Sequence, residues 1–256
     1  MNDPDLLALA AGLAQQAADT IMQIRSRGFS TVTKPDDSPV TEADHAAETL
    51  ILHGLRAAAS IPVIAEEEVA AGRSVQHDGC FWLVDPLDGT REFAAGRDDF
   101  TVNIGLVRDG HVVLGAVALP AHGELYLGLA GPDGTGRATR RDAAGEHAIH
   151  VRSPPADGLA VLASRHYAND ERLRTWLGSQ RVASVGNIGS AAKFVRVAEG
   201  RADLYPRLGR TMEWDTAAPQ AVVEAAGGSV CRFDGQPLRY AKPGWENPFF
   251  ICRGGP

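Results

Sequence analysis

The segment that most limits what this chain can become is Phe81-Trp82-Leu83-Val84 followed at once by Asp85-Pro86-Leu87-Asp88-Gly89-Thr90. The four apolar residues read as a buried strand that delivers Asp85 to its end. Proline has no N–H for a ladder, so Pro86 is expected to stop the pairing, and Gly89 permits a tight turn that returns Asp88 toward Asp85. Two carboxylates then face one spot. The apolar run at residues 61–65 stops in the same way, at Glu66-Glu67-Glu68. Joined by Glu66, the cluster would hold only oxygen donors and would repel itself without cations; hard ions such as Mg²⁺ suit such ligands.

The bland alternative is a strand-ending turn, since Asp and Gly dominate turns. Other motif readings fit less well. A haloacid dehalogenase needs its aspartates two apart, whereas Asp85 and Asp88 are three apart. An EF-hand loop needs acids where this segment has Pro86 and Gly89.

Around this segment the pattern is mixed α and β. Helical spacing predicts helices over residues 5–25, 41–59, 170–177, 190–198 and 215–226, the last closed by Gly227-Gly228. Residues 28–40 read as a polar loop. Strands are expected at 101–107 and 111–119, joined by the hairpin signal Arg108-Asp109-Gly110, and at 124–130, 159–163, 229–233 and 249–252. The glycine-rich stretch 131–145 reads as a connection, which divides the chain into 1–135, carrying most of the acids, and 136–256, carrying Asp215.

Composition narrows the function. In 256 residues, 25 Lys and Arg stand against 32 Asp and Glu, a net charge of −7, which disfavours coating a long nucleic acid. A small anionic substrate remains compatible, because cations and placed arginines can invert the field within one cleft. The three cysteines form no C-x-x-C pair, so a disulfide framework or zinc ribbon is not expected and a reducing cytoplasm fits. The acidic opening Met1-Asn2-Asp3-Pro4-Asp5 is unlike a secretory signal, and no run reaches the roughly 18 apolar residues of a spanning helix.

Two further acids have ordinary explanations when taken singly. Thr41 and Asp44 have the form of a capping box, and Asp215 in Glu213-Trp214-Asp215-Thr216-Ala217 would by default be a helix N-cap. His45, His53 and His77 lack metal-type spacing, and Trp82 and Trp214 are expected to pack beside the acids.

In order, Thr41-Glu42-Ala43-Asp44, Glu66-Glu67, Asp85-Pro86-Leu87-Asp88-Gly89-Thr90 and Trp214-Asp215-Thr216-Ala217-Ala218 resemble the lithium-sensitive, Mg²⁺-dependent inositol monophosphatase superfamily. Within it, Asp88-Gly89-Thr90-Arg91-Glu92-Phe93 and Phe100-Thr101-Val102-Asn103-Ile104 look like the CysQ-type 3'(2'),5'-bisphosphate nucleotidases; inositol phosphatases usually carry Thr-Asn-Phe in place of Arg91-Glu92-Phe93.

The resemblance implies an α/β (α+β) fold, a layered αβαβα sandwich. It also implies that Glu66, Asp85, Asp88, Asp215 and the carbonyl of Leu87 hold about two or three Mg²⁺ ions, while Asp44 and Thr90 orient and deprotonate the attacking water. It lays Glu66, Leu87, Asp88, Gly89, Thr90, Gly189, Ser190, Lys193, Arg207 and Asp215 against the substrate. Arg207 stands where inositol phosphatases often have an acid, and an arginine suits a second phosphate better than a hydroxyl. Without the resemblance, Lys193 and Arg207 would read as solvated charge. Ser164-Arg165-His166-Tyr167 departs from the expected Ser-Arg-Ser-His, so either Arg165 or His166 would meet the ligand.

The expected activity is cytoplasmic hydrolysis of the 3'-phosphate of 3'-phosphoadenosine 5'-phosphate to AMP, which would clear a by-product of sulfate assimilation. A homodimer is compatible with the resemblance. An inositol or sugar monophosphatase of the same fold is the rival enzyme. The rival of another class is a catalytically silent regulator that senses nucleotide or metal, which would be expected to have lost a ligand or the threonine.

Overall fold

Asn2 starts the first helix, α1 (Asp3–Arg27): the Asp5 N–H donates to Asn2 Oδ1 at 2.9 Å, and Pro4 sits in the first turn, where a missing N–H costs nothing. The protein is described here from a computed structural model covering residues 1–34, 38–131, 136–165, 171–178 and 180–255. Where a polar loop was expected, β1 (Thr31–Thr33) and β2 (Pro39–Thr41) pair antiparallel and lead into α2 (Glu42–Ala58). Buried Ala10, Ala14, Ala17 and Ala18 give α1 a smooth face, which packs on α2 and the adjoining sheet.

That sheet has seven strands in chain order: β3 (Val63–Ala65), β4 (Cys80–Asp88), β5 (Thr101–Arg108), β6 (His111–Leu119), β7 (Glu124–Leu129), β8 (Arg137–Asp142) and β9 (Gly145–Ala148). Short helices α3 (Glu66–Ala70) and α4 (Thr90–Ala94) follow β3 and β4. Only β3 and β4 run parallel; the other pairs are antiparallel. The glycine-rich stretch read as a connection therefore carries β8 from Arg137, and the sheet continues to Ala148. Residues 132–135 of that stretch lie outside the described residues.

The second sheet has the order β11-β10-β12-β14-β13. Its strands are β10 (Leu159–Ser164), β11 (Val182–Ile188), β12 (Leu204–Arg207), β13 (Ser229–Arg232) and β14 (Phe250–Arg253). The sequence did not announce β11 or β12. β11 is an exposed edge without clean alternation, and β12 is four residues long and contains Pro206, which pairs opposite Ile251.

Between the sheets lie α6 (Ala192–Ala198) and α7 (Glu213–Ala225), and α5 (Glu171–Leu177) packs outside the second sheet through Trp176 and Leu177. The layers are thus α1/α2, seven strands, α6/α7, five strands and α5, the expected αβαβα sandwich. One detail fixes the height of α7. Gly105, Gly115 and Gly128 are cross-strand neighbours, and a Cβ on them would lie 2.6 Å from Ala218 N, 2.2 Å from Ala218 O and 2.5 Å from Val222 Cα. No side chain fits there, so α7 rests on bare sheet backbone and brings Asp215 to the acid-bearing end of β4.

Candidate active site

Pro86 does not stop the ladder as expected. β4 continues to Asp88, with Asp85 opposite Asn103 and Asp88 opposite Thr101, so three steps on β4 face two on β5. This is a β-bulge, which accommodates a residue without a donor and re-aims the side chains around it. The Leu87 N–H donates to Asp85 Oδ1 at 3.0 Å, and Gly89 follows at φ 95°, a left-handed conformation with Asp99 O only 3.1 Å from where a Cβ would sit. The turn brings Thr90 Oγ1 to 2.9 Å from Asp44 Oδ1 and 3.1 Å from the Leu87 carbonyl.

Asp44 holds its capping position as well. Its Oδ2 accepts from the Thr41 N–H at 2.8 Å and from Thr41 Oγ1 at 2.7 Å. The cap leaves Oδ1 for Thr90, so one carboxylate serves both the helix start and the Thr90 hydroxyl. Asp215 is not an N-cap: α7 begins two residues earlier, and its carboxylate turns back to accept from the Met212 N–H at 2.9 Å. Asp88 Oδ2 accepts from the Ala191 N–H at 2.5 Å.

Glu66, Asp85, Leu87, Asp88, Gly89, Thr90, Gly189, Ser190, Lys193, Arg207 and Asp215 all line one cleft of about 290 Å³. Arg165 is turned aside into an ion pair with Asp99 and does not line it. His166 lies outside the described residues. Lys193 is 3% exposed and gives its ammonium to the carbonyls of Ile188 at 3.2 Å and Ser190 at 2.6 Å, so it braces the turn before α6. The amides at that turn are occupied too: Ala191 serves Asp88, and the Ala192 N–H donates to Ser190 Oγ at 3.2 Å. Lys34 reaches Glu66 at 2.9 Å and Glu67 at 2.6 Å, contacts that no sequence pattern signalled.

Burial raises the Asp85 carboxyl well above its ordinary range, and the charges of Glu66, Asp88 and Asp215 add to the effect. Asp215 is pushed up to about 8 by burial and by the charges of Asp88 and Glu66. Asp88 is raised by burial, against the pull of the Lys193 charge. Burial likewise raises Asp44, outweighing its bonds to Thr41 and Thr90. The burial of Lys193 lowers its ammonium to about 8, opposed by Asp88.

Four carboxylates that destabilise one another's charge are a fit donor set for hard divalent cations. Among the described residues, no three Asp, Glu, His or Cys side chains surround one point as ligands would. Lys34 is shared between Glu66 and Glu67, and a cation would have to compete with it for Glu66.

Residues 3–248 match the inositol monophosphatase family. The chain is 42% identical over 244 residues to the 3'(2'),5'-bisphosphate nucleotidase CysQ of Shigella flexneri, covering 93% of this chain and 95% of that protein. It is 38% identical over 259 residues to the 3'-phosphoadenosine 5'-phosphate phosphatase of Mycobacterium leprae, covering 96% and 88%. Among solved structures it matches CysQ of Bacteroides thetaiotaomicron, described as a bacterial member of the same family, with TM-score 0.81 and 30% identity over 98% of each chain.

Proposed function

The chain belongs to the inositol monophosphatase family, and from that premise we propose that it is a Mg²⁺-dependent bisphosphate nucleotidase that hydrolyses the 3'-phosphate of 3'-phosphoadenosine 5'-phosphate to AMP and phosphate. The observation that carries the chemistry is the hydroxyl of Thr90, set between Asp44 and the Leu87 carbonyl at the mouth of a carboxylate cluster. Glu66, Asp85, Asp88, Asp215 and the Leu87 carbonyl would hold the cations. When bound, Mg²⁺ supplies electrophilic stabilisation of the phosphoryl oxygens and of the leaving oxygen.

The protein's own part is proton handling and placement. Thr90 Oγ1 can give its proton to Asp44 Oδ1 while a lone pair takes the proton of an attacking water. Asp44 suits this, since burial raises it above an ordinary carboxylate and so makes it a better base. Asp88 is locked by the Ala191 amide and Asp215 by the Met212 amide, so neither needs to search for its rotamer. No serine or cysteine nucleophile is needed.

The nucleotide preference is supported by the names of the relatives and by Arg91, Arg207 and Arg210 along the cleft. The reading includes a cytoplasmic setting, supported by three cysteines that carry no disulfide. No helix among the described residues is long and apolar enough to cross a membrane.

The test is phosphate release from 3'-phosphoadenosine 5'-phosphate and from inositol 1-phosphate, side by side, with Mg²⁺ and with chelator. Mg²⁺-dependent preference for the nucleotide is expected. Preference for inositol phosphate would leave the carboxylate site standing and overturn the nucleotide assignment, whereas no turnover of any phosphate ester would revive a silent regulator.

A further inference from the structure

Resting on the bisphosphate reading above, we infer that Arg210 and Thr211, at the rim of the cleft, form the subsite for the phosphate that is not hydrolysed. Two of the cleft's other cations are already engaged. Lys193 is buried and holds two loop carbonyls. Arg207 donates from Nη2 to the Arg210 carbonyl at 2.7 Å, and its charge acts on Asp88 and Asp215. It therefore serves the reacting end of the cleft and braces the rim.

The rim itself is built to present side chains. All three carbonyls from Arg210 to Met212 are taken: that of Arg210 by Arg207, that of Thr211 by the Asn247 N–H at 2.9 Å, and that of Met212 by Asn247 Nδ2 at 2.7 Å. An antiparallel bridge between Met212 and Glu246 adds a further tie. The pinned segment lines the cleft with Arg210, Thr211 and Met212, of which the first two carry polar side chains. Thr211 Oγ1 is buried and has no hydrogen-bond partner among the described residues, which is costly unless something supplies one. Arg210 is 62% exposed, and its contact with Glu246, itself 57% exposed, is a 3.4 Å ion pair of the weak surface kind. A phosphate offers acceptors to both at once. A guanidinium gives paired donors matched to its oxygens, and the threonine hydroxyl gains the acceptor it lacks.

Steady-state kinetics with adenosine 3',5'-bisphosphate and adenosine 3'-monophosphate, two substrates that differ only in the second phosphate, test the assignment. Arg210→Ala is expected to raise KM for the bisphosphate about tenfold more than KM for the monophosphate, with the loss on KM rather than kcat. Thr211→Val should do the same about threefold. Glu246→Gln, which frees Arg210, should lower KM for the bisphosphate. Equal changes for the two substrates, or none, would overturn the subsite while the nucleotidase reading stands. A wild-type enzyme that treats the two substrates alike and prefers inositol 1-phosphate would overturn both.

Discussion

Thr90 has one proton and two acceptors within reach, Asp44 Oδ1 at 2.9 Å and the Leu87 carbonyl at 3.1 Å, so its oxygen is held in one place. Removing it should cost the chemical step rather than binding. Thr90→Ala is expected to lower kcat about 100-fold or more with KM little changed, and Thr90→Ser to recover most of the loss, both read by steady-state kinetics. A fall confined to KM would remove Thr90 from proton transfer. Thr90 stood out in the sequence because it closes the run that carries Asp85, Leu87 and Asp88, although its acceptor Asp44 lies far off in the chain. The place of Arg165 was not legible, because a long side chain chooses among charges the fold brings near, and here it pairs with Asp99. Glu48 was missed for a related reason: one acid on a helix carries no signal until the fold buries it. Burial raises it to about 7, and its carboxylate accepts from the Glu67 N–H at 2.9 Å. The folded form thus keeps its proton between the unfolded value of about 4.5 and about 7, where the unfolded chain has lost it, so this group's contribution to stability falls as pH rises through that window. Glu48→Gln keeps an acceptor without the charge. In chelator it should raise Tm more at pH 8 than at pH 5, and equal gains at both would place the charge penalty elsewhere.

At the scale of elements, the site depends on how closely α7 approaches the first sheet. Gly105, Gly115 and Gly128 are spread along the chain and become one stripe only through the β5-β6-β7 register. That is why the stripe could not be read from sequence, whereas α7 itself could, from its spacing and its Gly227-Gly228 stop. β8 escaped for the opposite reason, since the glycines around it suggested a connection while its pairing partner β7 decided the outcome. At Gly115 an added Cβ would meet the Ala218 carbonyl at 2.2 Å, and backbone on both sides leaves no flexible atom to yield. Gly115→Ala is therefore expected to destabilise the protein by about 2 kcal/mol or more, an overpacking cost. It should also weaken Mg²⁺-dependent turnover, because lifting α7 displaces Asp215. Thermal denaturation and phosphate release on the same preparation check the pair of effects. A variant that keeps Tm and activity would mean that α7 does not rest on this stripe.

Across the whole molecule, the acids come from separate layers: Asp44 from α2, Glu66 after β3, Asp85 and Asp88 from β4, and Asp215 from α7. A cation held by Glu66, Asp85, Asp88 and Asp215 would tie the first sheet and the central helical layer together, so binding should register as global stability. The layer order came from the resemblance; that Asp85, Asp88 and Glu66 would share one spot was read from the residues, but the bulge after Asp85 and the seat of α7 on glycine that bring this about were not. Burial and mutual charge raise Glu66 to about 7 and Asp215 to about 8, and they raise Asp85 and Asp88 in the same direction. Without cations, folding takes up protons between the unfolded carboxylate range and about pH 8, so the metal-free protein loses stability as pH rises through that window. Mg²⁺ competes with those protons, and each ligand must be ionised to bind it. The rise in Tm on adding Mg²⁺ should therefore be small at pH 5.5 and several degrees larger at pH 8.5. Asp88→Asn should shrink that rise at pH 8.5 and abolish turnover while leaving the metal-free fold intact. A Mg²⁺-induced rise that does not depend on pH, or that survives Asp88→Asn undiminished, would mean that the cation stabilises the protein from somewhere other than this cluster.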